Sequence, residues 1–582
     1  MKSGAAHVLP IEANARGGSP TPRCRGKSVP LVFFALLLFG ITFINSSWSV
    51  EPLWWLGPSS AAREEAFRAG CAQPEPLFPS KNADLDKAFE HISSPAFRNA
   101  TVKRLSAAVQ LRTESFDDLG AIGEDPRWDV FYEFHDFLKK TFPRIHSQLE
   151  VEKVNTHGLL YTWKGSDASL KPTLLMAHQD TVPVPPETIG SWTYPPWSGA
   201  YDGRYIWGRG ASDCKNQLMA TLETLELLLE AGFRPRRTIL LSFGFDEECS
   251  GKQGASRLAA FIEERYGKDG IAVIVDEGSG LEQAWGTVFA KPGTAEKGYV
   301  DVHITVRAPG GHSSVPSDHT SIGILSELIT KIEAEQYPTR LADENPYFTQ
   351  LQCGAAYSPD FPEKLKELLG RRLSRGAGAC RAGPDRLALE AAKQGPVIKY
   401  LMQTSQAVDV ISGGIKVNAL PERATAVVNH RINVGETSRT VKDRLAALAG
   451  EVARAHNLTL HAFDGVEESA SSIALAASSH ELQVAPVTPA DGAAFAVLAG
   501  TTRALYGTDV VVTPGIMTGN TDTRYYWDLT RHIFRFGPGF DPDDEPGLGT
   551  IHTVDERVSV LNHVNAVRWF TLFVRNMDEA DL

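Results

Sequence analysis

The sequence predicts an α/β core with a central mixed sheet, joined by an inserted α+β domain of ferredoxin-like order. Three observations carry this reading. Short apolar runs at 173–178, 238–245 and 271–275 suit strands buried on both faces of a sheet covered by helices. A leucine pattern of helical period lies between the first two runs. Near residue 296 the texture changes to strands with one wet face.

In chain order, Leu218, Leu222, Leu225 and Leu229 repeat at helical spacing through 216–231, and Gly232 follows as a residue able to turn left-handed and close the helix. Residues 299–306 alternate as a half-exposed strand does. A helix is expected over 321–333, an irregular stretch rich in Pro, Gly and Arg over about 337–395, strands around 402–412 and 423–433, and a helix over 438–455. That strand–helix–strand–strand–helix–strand order places helices on one face of a small sheet. From about 467 the chain returns to the first domain and ends in an amphipathic helix near 560–576. The expected division is therefore 96–295 and 467–582 for the core domain and 296–466 for the insert. Residues 49–95, with Pro, Ser and charges in no clear period, read as a stalk.

A chain of 582 residues, 42% hydrophobic and 22% charged, suits more than one domain, since single cores stop growing near roughly 250–300 residues. A formal net charge of −12 argues against a nucleic-acid partner, whose phosphates want a basic face. Six cysteines are too few for a disulfide scaffold and leave room for one or two bridges.

Residues 1–28 hold Lys2, Arg16, Arg23, Arg25 and Lys27 against Glu12. The apolar run 31–44, extended by its flanks to 29–48, approaches the ~20 residues that a spanning helix needs. With the positive side first, 1–28 form a cytosolic tail, 29–48 a transmembrane signal anchor, and the bulk of the chain crosses to the lumen as a type II membrane protein. A cleaved signal peptide is the competing reading, and it too leads into the secretory pathway. There Asn99-Ala-Thr101 and Asn457-Leu-Thr459 become glycan acceptors.

Four acidic or histidine clusters stand at the ends of expected core strands. In His178-Gln-Asp180 the two polar side chains share a face, so Asp180 can bond the far ring nitrogen of His178 and fix its tautomer. Gly208-Arg-Gly-Ala-Ser-Asp213 is a glycine-rich turn that offers a carboxylate to a cation. Asp246-Glu247-Glu248 sets three carboxylates side by side, which is costly without a cation or protons. Asp276-Glu277 follows another apolar strand, and His552 is a late fifth candidate. Each alone is more often an ordinary surface or core pair, but open α/β sheets bind ligands where these clusters sit together. Histidine and carboxylate donors suit a hydrolytic zinc site with open positions. Cys214 and Cys249 adjoin two clusters and read as small packing residues or thiolate ligands.

These motifs in this order, with the longer strings at 175–184 and 310–316, resemble the dizinc aminoacylase/acetylornithine deacetylase/carboxypeptidase family over roughly 100–575. With the anchor, the likeness is to its membrane-anchored, vacuolar members. The resemblance implies two Zn2+ per chain. Asp213 bridges them, His178 and Glu277 complete one site, and Glu248 and His552 complete the other. Glu247 is the general base and Asp180 orients His178. Either Asp276 or Glu277 has the reach to bind, and the family pattern favours Glu277. The resemblance makes the insert a lid domain. His312, in Gly310-Gly-His-Ser-Ser314, then resembles the lid histidine that donates to the oxyanion from the same chain or a neighbouring copy, which allows a homodimer. Its ordinary reading is a loop imidazole bonded to Ser313 or Ser314. Arg431 resembles the arginine that clamps a substrate carboxylate, and Asn418, Asn520 and Arg524 line the pocket. Structurally, Arg431 could equally serve a strand-surface salt bridge and Asn520-Thr-Asp522 an ordinary turn.

The expected activity is a zinc carboxypeptidase releasing a C-terminal amino acid from short peptides, with a Gly-Xaa preference that the resemblance alone implies. An N-acyl amino acid hydrolase would use the same site with a different acyl pocket. A membrane-tethered, non-catalytic binding protein would be marked by loss of Glu247 or a ligand, and all are present.

Overall fold

The computed structural model describes residues 60–374, 383–466, 468–544 and 550–582. The expected tail and anchor, 1–48, lie outside the described residues. Among the described residues no helix is long and apolar enough to cross a membrane.

The core domain is an eight-stranded mixed sheet in the order Glu150–Val154, Gly158–Trp163, Ile239–Gly244, Thr173–His178, Val273–Ser279, Ile533–Phe536, Gly293–Glu296, Gly515–Met517. Thr173–His178 pairs parallel with both Ile239–Gly244 and Val273–Ser279, so three strand ends open on the same edge. Period-two alternation divides these strands between two cores. Leu175 and Ala177 pack under Lys215–Glu230, Ala493–Tyr506 and Val560–Glu579, while Leu174 and Met176 face Ala255–Tyr266 through Leu258 and Ile262. Lys215–Glu230 ends at the expected glycine: Gly232 is left-handed (φ +77°) and donates to Leu229 O at 3.1 Å.

The inserted sheet has five strands, ordered Ser405–Gly413, Arg423–Ile432, Gly298–Arg307, Ser472–Ala477, Thr459–Ala462. Ser321–Ala334 and Ser438–Ala455 cover one face, burying Ile324, Leu328, Val441 and Leu445 against Val302, Ile304 and Val428. The strand Ser472–Ala477 corrects the boundary expected at 466: it lies inside the lid sheet, paired with Gly298–Arg307 and Thr459–Ala462. Its small residues alternate too weakly to mark it in the sequence.

Two further expectations are corrected. Where it is described, the stretch 337–395 is largely helical, not irregular. Pro346–Tyr357, Glu363–Leu373 and Arg386–Ala391 share a core of Leu351, Leu365, Leu369 and Leu387 that reaches Ala295 and Ile516 of the main sheet. Proline there starts a helix, with Asn345 capping Tyr347 N at 2.9 Å, because the first turn needs no proline N–H. The stalk expected over 49–95 is folded from Ser60 onward. Helix Ser60–Ala69 buries Phe67 in that helical core, and a disulfide joins Cys71 to Cys353. Residues 73–80 then run along the C-terminal helices, where Gln73 exchanges hydrogen bonds with Val512 backbone and Ser80 N donates to Glu579.

Candidate metal centre

Strand ends and the loops after them bring the acidic and histidine motifs together. His178 closes its strand with a fully buried ring. Its Nε2 lies 3.1 Å from Asp213 Oδ1 and 3.3 Å from Glu277 Oε1. Its Nδ1 lies 3.0 Å from Asp180 O and 3.3 Å from Asp180 Oδ1, an arrangement that fixes the tautomer and turns Nε2 to the cluster. Asp180 also accepts from Ser115 Oγ at 2.6 Å and from the amides of Glu247 and Glu248 at 3.2 and 3.1 Å. One buried carboxylate thus orients both His178 and the acidic turn beside it.

The second group forms across Asp213. His552 Nε2 lies 2.9 Å from Asp213 Oδ2 and 3.2 Å from Glu248 Oε1, so the two oxygens of Asp213 face two different imidazoles. His178, Asp213, Cys214 and Glu277 make one set of potential ligands, and Asp213, Glu248 and His552 another. Asp276 belongs to neither set: the strand turns its buried side chain away, leaving Oδ2 without a hydrogen-bond partner. Cys214 Sγ accepts the His178 amide at 3.2 Å, and burial holds its thiol well above the ordinary range. Cys249 is half-buried and joins neither set.

The electrostatics describe a site that lacks positive charge. Burial pushes Glu277 up to about 8, with Asp213 and Asp276 adding to it, and it raises Glu248 as well. Hydrogen bonds to Asp213 and Glu248 push His552 up to about 10. Burial would lower His178, but Cys214, Glu277, Asp180 and Asp213 together hold it well above its usual value. Protons stand where cations would, and imidazole nitrogens with carboxylate oxygens are a donor set that fits zinc.

Glu247 is raised well above the carboxylate range by burial and by Asp522 and Glu277. Its Oε1 accepts from Arg524 Nη2 at 3.1 Å. Arg524 belongs to the loop 519–524, whose Asn520 Oδ1 accepts from Arg431 Nη1 at 3.1 Å. Arg431 also lies over the Tyr299 ring, 5.4 Å from its centre. A single loop therefore joins the lid arginine to the carboxylate beside the cluster. His312 and Asn418 are not brought to this site. They sit together on an exposed ribbon of the lid, where Gly311–His312 pairs with Ala419–Leu420. His312 Nδ1 contacts Ser314 Oγ at 2.7 Å, the ordinary loop reading, and Ser313 N donates to Asn418 O at 3.3 Å.

Sequence reasoning missed Ser115, whose role depends on a segment 65 residues away, and gave Asp522 no role of its own beyond its place in the turn 520–522. Asp522 is buried, and a Cβ on Gly251 would come within 2.3 Å of its Oδ1. A glycine three residues beyond the acidic turn was the available signal.

An open sheet with carboxylate–histidine clusters at its strand ends, covered by a ferredoxin-like lid, defines a class of metal-dependent peptidases and amidohydrolases. The chain belongs to peptidase family M20/M25/M40, whose pattern matches residues 174–576. It is 41% identical over 568 residues to carboxypeptidase S of Saccharomyces cerevisiae, covering 94% of this chain and 95% of that protein. It is 33% identical over 490 residues to the N-fatty-acyl-amino acid synthase/hydrolase PM20D1 of Mus musculus, covering 83% and 88%. The crystal structure of an M20 family metallo-carboxypeptidase from Sulfolobus solfataricus shares the fold with TM-score 0.56 at 18% identity, over 82% of this chain and 99% of that one.

Proposed function

We propose that this protein is a zinc carboxypeptidase with two zinc ions per chain, releasing the C-terminal amino acid of short peptides of Gly-Xaa type. The observation that carries this is Arg431. Burial lowers its basicity, its guanidinium donates to an amide oxygen, and among the described residues it makes no salt bridge. A half-buried cation without a carboxylate partner is a receptor for the substrate's own carboxylate.

His178, Asp213 and Glu277 would hold one ion, and Asp213, Glu248 and His552 the other. When bound, the ions polarise the scissile carbonyl and acidify a water. Asp180 keeps His178 in the tautomer that presents Nε2. Glu247 takes the attacking water's proton and returns it to the leaving amine, while Arg524 holds its carboxylate in place. Arg431, with Asn520, binds the C-terminal carboxylate one residue beyond the reacting bond.

The likeness to carboxypeptidase S supports peptides as substrates. The likeness to an N-fatty-acyl-amino acid synthase/hydrolase supports a second reading, hydrolysis of N-acyl amino acids. Comparing kcat/KM for amino-blocked Gly-Leu with that for N-acyl leucines separates the two. Peptides amidated at the carboxyl end should be poor substrates, and Arg431→Lys should cut kcat/KM roughly 10–100-fold for free-carboxylate peptides only, because Lys lacks the bidentate fork. Efficient cleavage of amidated peptides by the wild type would defeat the carboxypeptidase reading.

The type II lumenal topology, in the vacuole, belongs to the same proposal and is supported by the Cys71–Cys353 bridge, since such bridges persist in oxidising compartments. A homodimer through the lid is supported by its edge strand Ser405–Gly413, where Val410 and Ile411 are exposed beside Ile415 and Val417.

A further inference from the structure

We propose that Glu556 is a positioning residue for the metal centre, registering the His552 segment onto the loop that carries Asp213. The inference rests on the reading of Asp213 and His552 as ligands. Glu556 is fully buried, four residues after His552. Its Oε1 accepts the amides of Ser212 and Asp213 at 3.0 and 3.1 Å, and its Oε2 accepts Arg209 Nη1 at 2.6 Å. Its own carbonyl takes Gly208 N at 2.8 Å. One residue of the second core segment therefore holds the whole turn 208–213 of the first, across separations of 343 to 348 residues.

The electrostatics show what the carboxylate is for. Burial disfavours the Glu556 carboxylate and Asp213 adds to this, while Arg209 opposes it, and an apolar pair in place of Glu556 and Arg209 would pack there without that cost. What only a carboxylate supplies is acceptor capacity for two amides and a guanidinium at once. The turn needs it. Gly208 and Gly210 both have positive φ, +145° and +84°, and Arg209 is buried with its guanidinium over Trp192. On either side of Glu556 the chain is pinned again, with Thr193 bonded to Asp555 and Arg557–Ser559 paired to Tyr205–Trp207. His552 itself is half-exposed, so its place beside Asp213 is set by the pinned segment 555–559. Glu556 touches neither substrate nor reacting atoms, and it acts through the Asp213 amide.

The test is zinc affinity of the full-length protein, read by competition with a chromophoric chelator. R209M/E556Q removes the buried charge pair and keeps an acceptor for the two amides. R209M/E556M removes the pair and the acceptor together, with apolar side chains of similar length. The first should bind both ions within about threefold of wild type, and the second should bind one of them roughly 10–100-fold more weakly, as loss of an outer support for a metal site does. The metal-free forms of the two variants should melt alike, and excess zinc should restore kcat to the second. Equal affinities in the two double variants would overturn the proposal. If the methionine pair does not fold, R209A/E556A removes the same acceptor with smaller side chains and carries the test. Wild-type affinity for both ions in that variant would overturn it too. A wild-type protein that takes up no zinc would instead sink the metal reading on which the proposal rests.

Discussion

Glu247 is the side chain on which the proposed hydrolysis turns, and its surroundings allow its proton chemistry to be separated from its place in the structure. Gln is isosteric and can still accept from Arg524, so Glu247→Gln should keep the fold and both metals. It should lose roughly 10²–10⁴-fold or more in kcat, measured at saturating substrate. A variant within tenfold of wild type would place the base elsewhere. The ligands make a second prediction. His552 is held up to about 10, Glu277 up to about 8, and His178 well above its usual value, so a metal must displace protons from all three. Acid strengthens the protons' hold, so zinc affinity should fall steadily from pH 8 to pH 5, with proton release on binding seen in calorimetry. A flat profile would mean that these side chains are not the ligands. Much of this site was legible because the motif residues follow apolar strands directly and share one sheet edge. Asp276 and Glu277 could not be told apart until the strand turned one of them away from His178. Glu556, Ser115 and the Arg524–Glu247 contact were illegible because each joins segments far apart in the chain.

Among the elements, the helices after Tyr337 show where sequence reading stopped. The buried core strands were read correctly because uninterrupted apolar runs are rare elsewhere. The helices Pro346–Tyr357, Glu363–Leu373 and Arg386–Ala391 are short, begin at prolines or caps, and take part of their core from Phe67, nearly 300 residues earlier. Ser60–Ala69 has no partner in sequence and finds one only through the same core and the bridge to Cys353. That bridge closes 282 residues, a separation at which the loop-entropy argument gives its largest effect. Cys71→Ser should therefore lower stability by roughly 2–5 kcal/mol. The loss should appear as a lower urea midpoint and as early proteolysis within 60–82 and 337–402. The zinc stoichiometry should be untouched, because the bridge lies in a side cluster with Phe289 and Val511, apart from the ligand strands. Equal midpoints with and without reductant would show that the helical core alone holds this layer.

For the whole molecule, three features of different kinds bear on the proposed lumenal placement of the folded body. The leader 1–28 carries five Lys or Arg against one acid and precedes the apolar run, whereas the chain as a whole is acidic, with net charge −12. The Cys71–Cys353 bridge suits an oxidising lumen. The third is the pair of glycan sequons, which the fold makes unequal. Asn99 lies within the helix Pro95–Gln110, and its Thr101 hydroxyl is buried on Glu223 Oε2 at 2.5 Å. Asn457 stands exposed in a left-handed turn (φ +51°) just past the helix Ser438–Ala455, with Thr459 exposed as well. A loop asparagine with a free hydroxyl partner is the better acceptor. In sealed vesicles, protease should therefore remove only the basic leader, leaving a C-terminal tag protected and the bridge oxidised. Endoglycosidase should shift the mobility of the wild type and of Asn99→Gln, but not of Asn457→Gln. A tag digested in intact vesicles would reverse the orientation, and an unchanged shift in Asn457→Gln would return the glycan to Asn99.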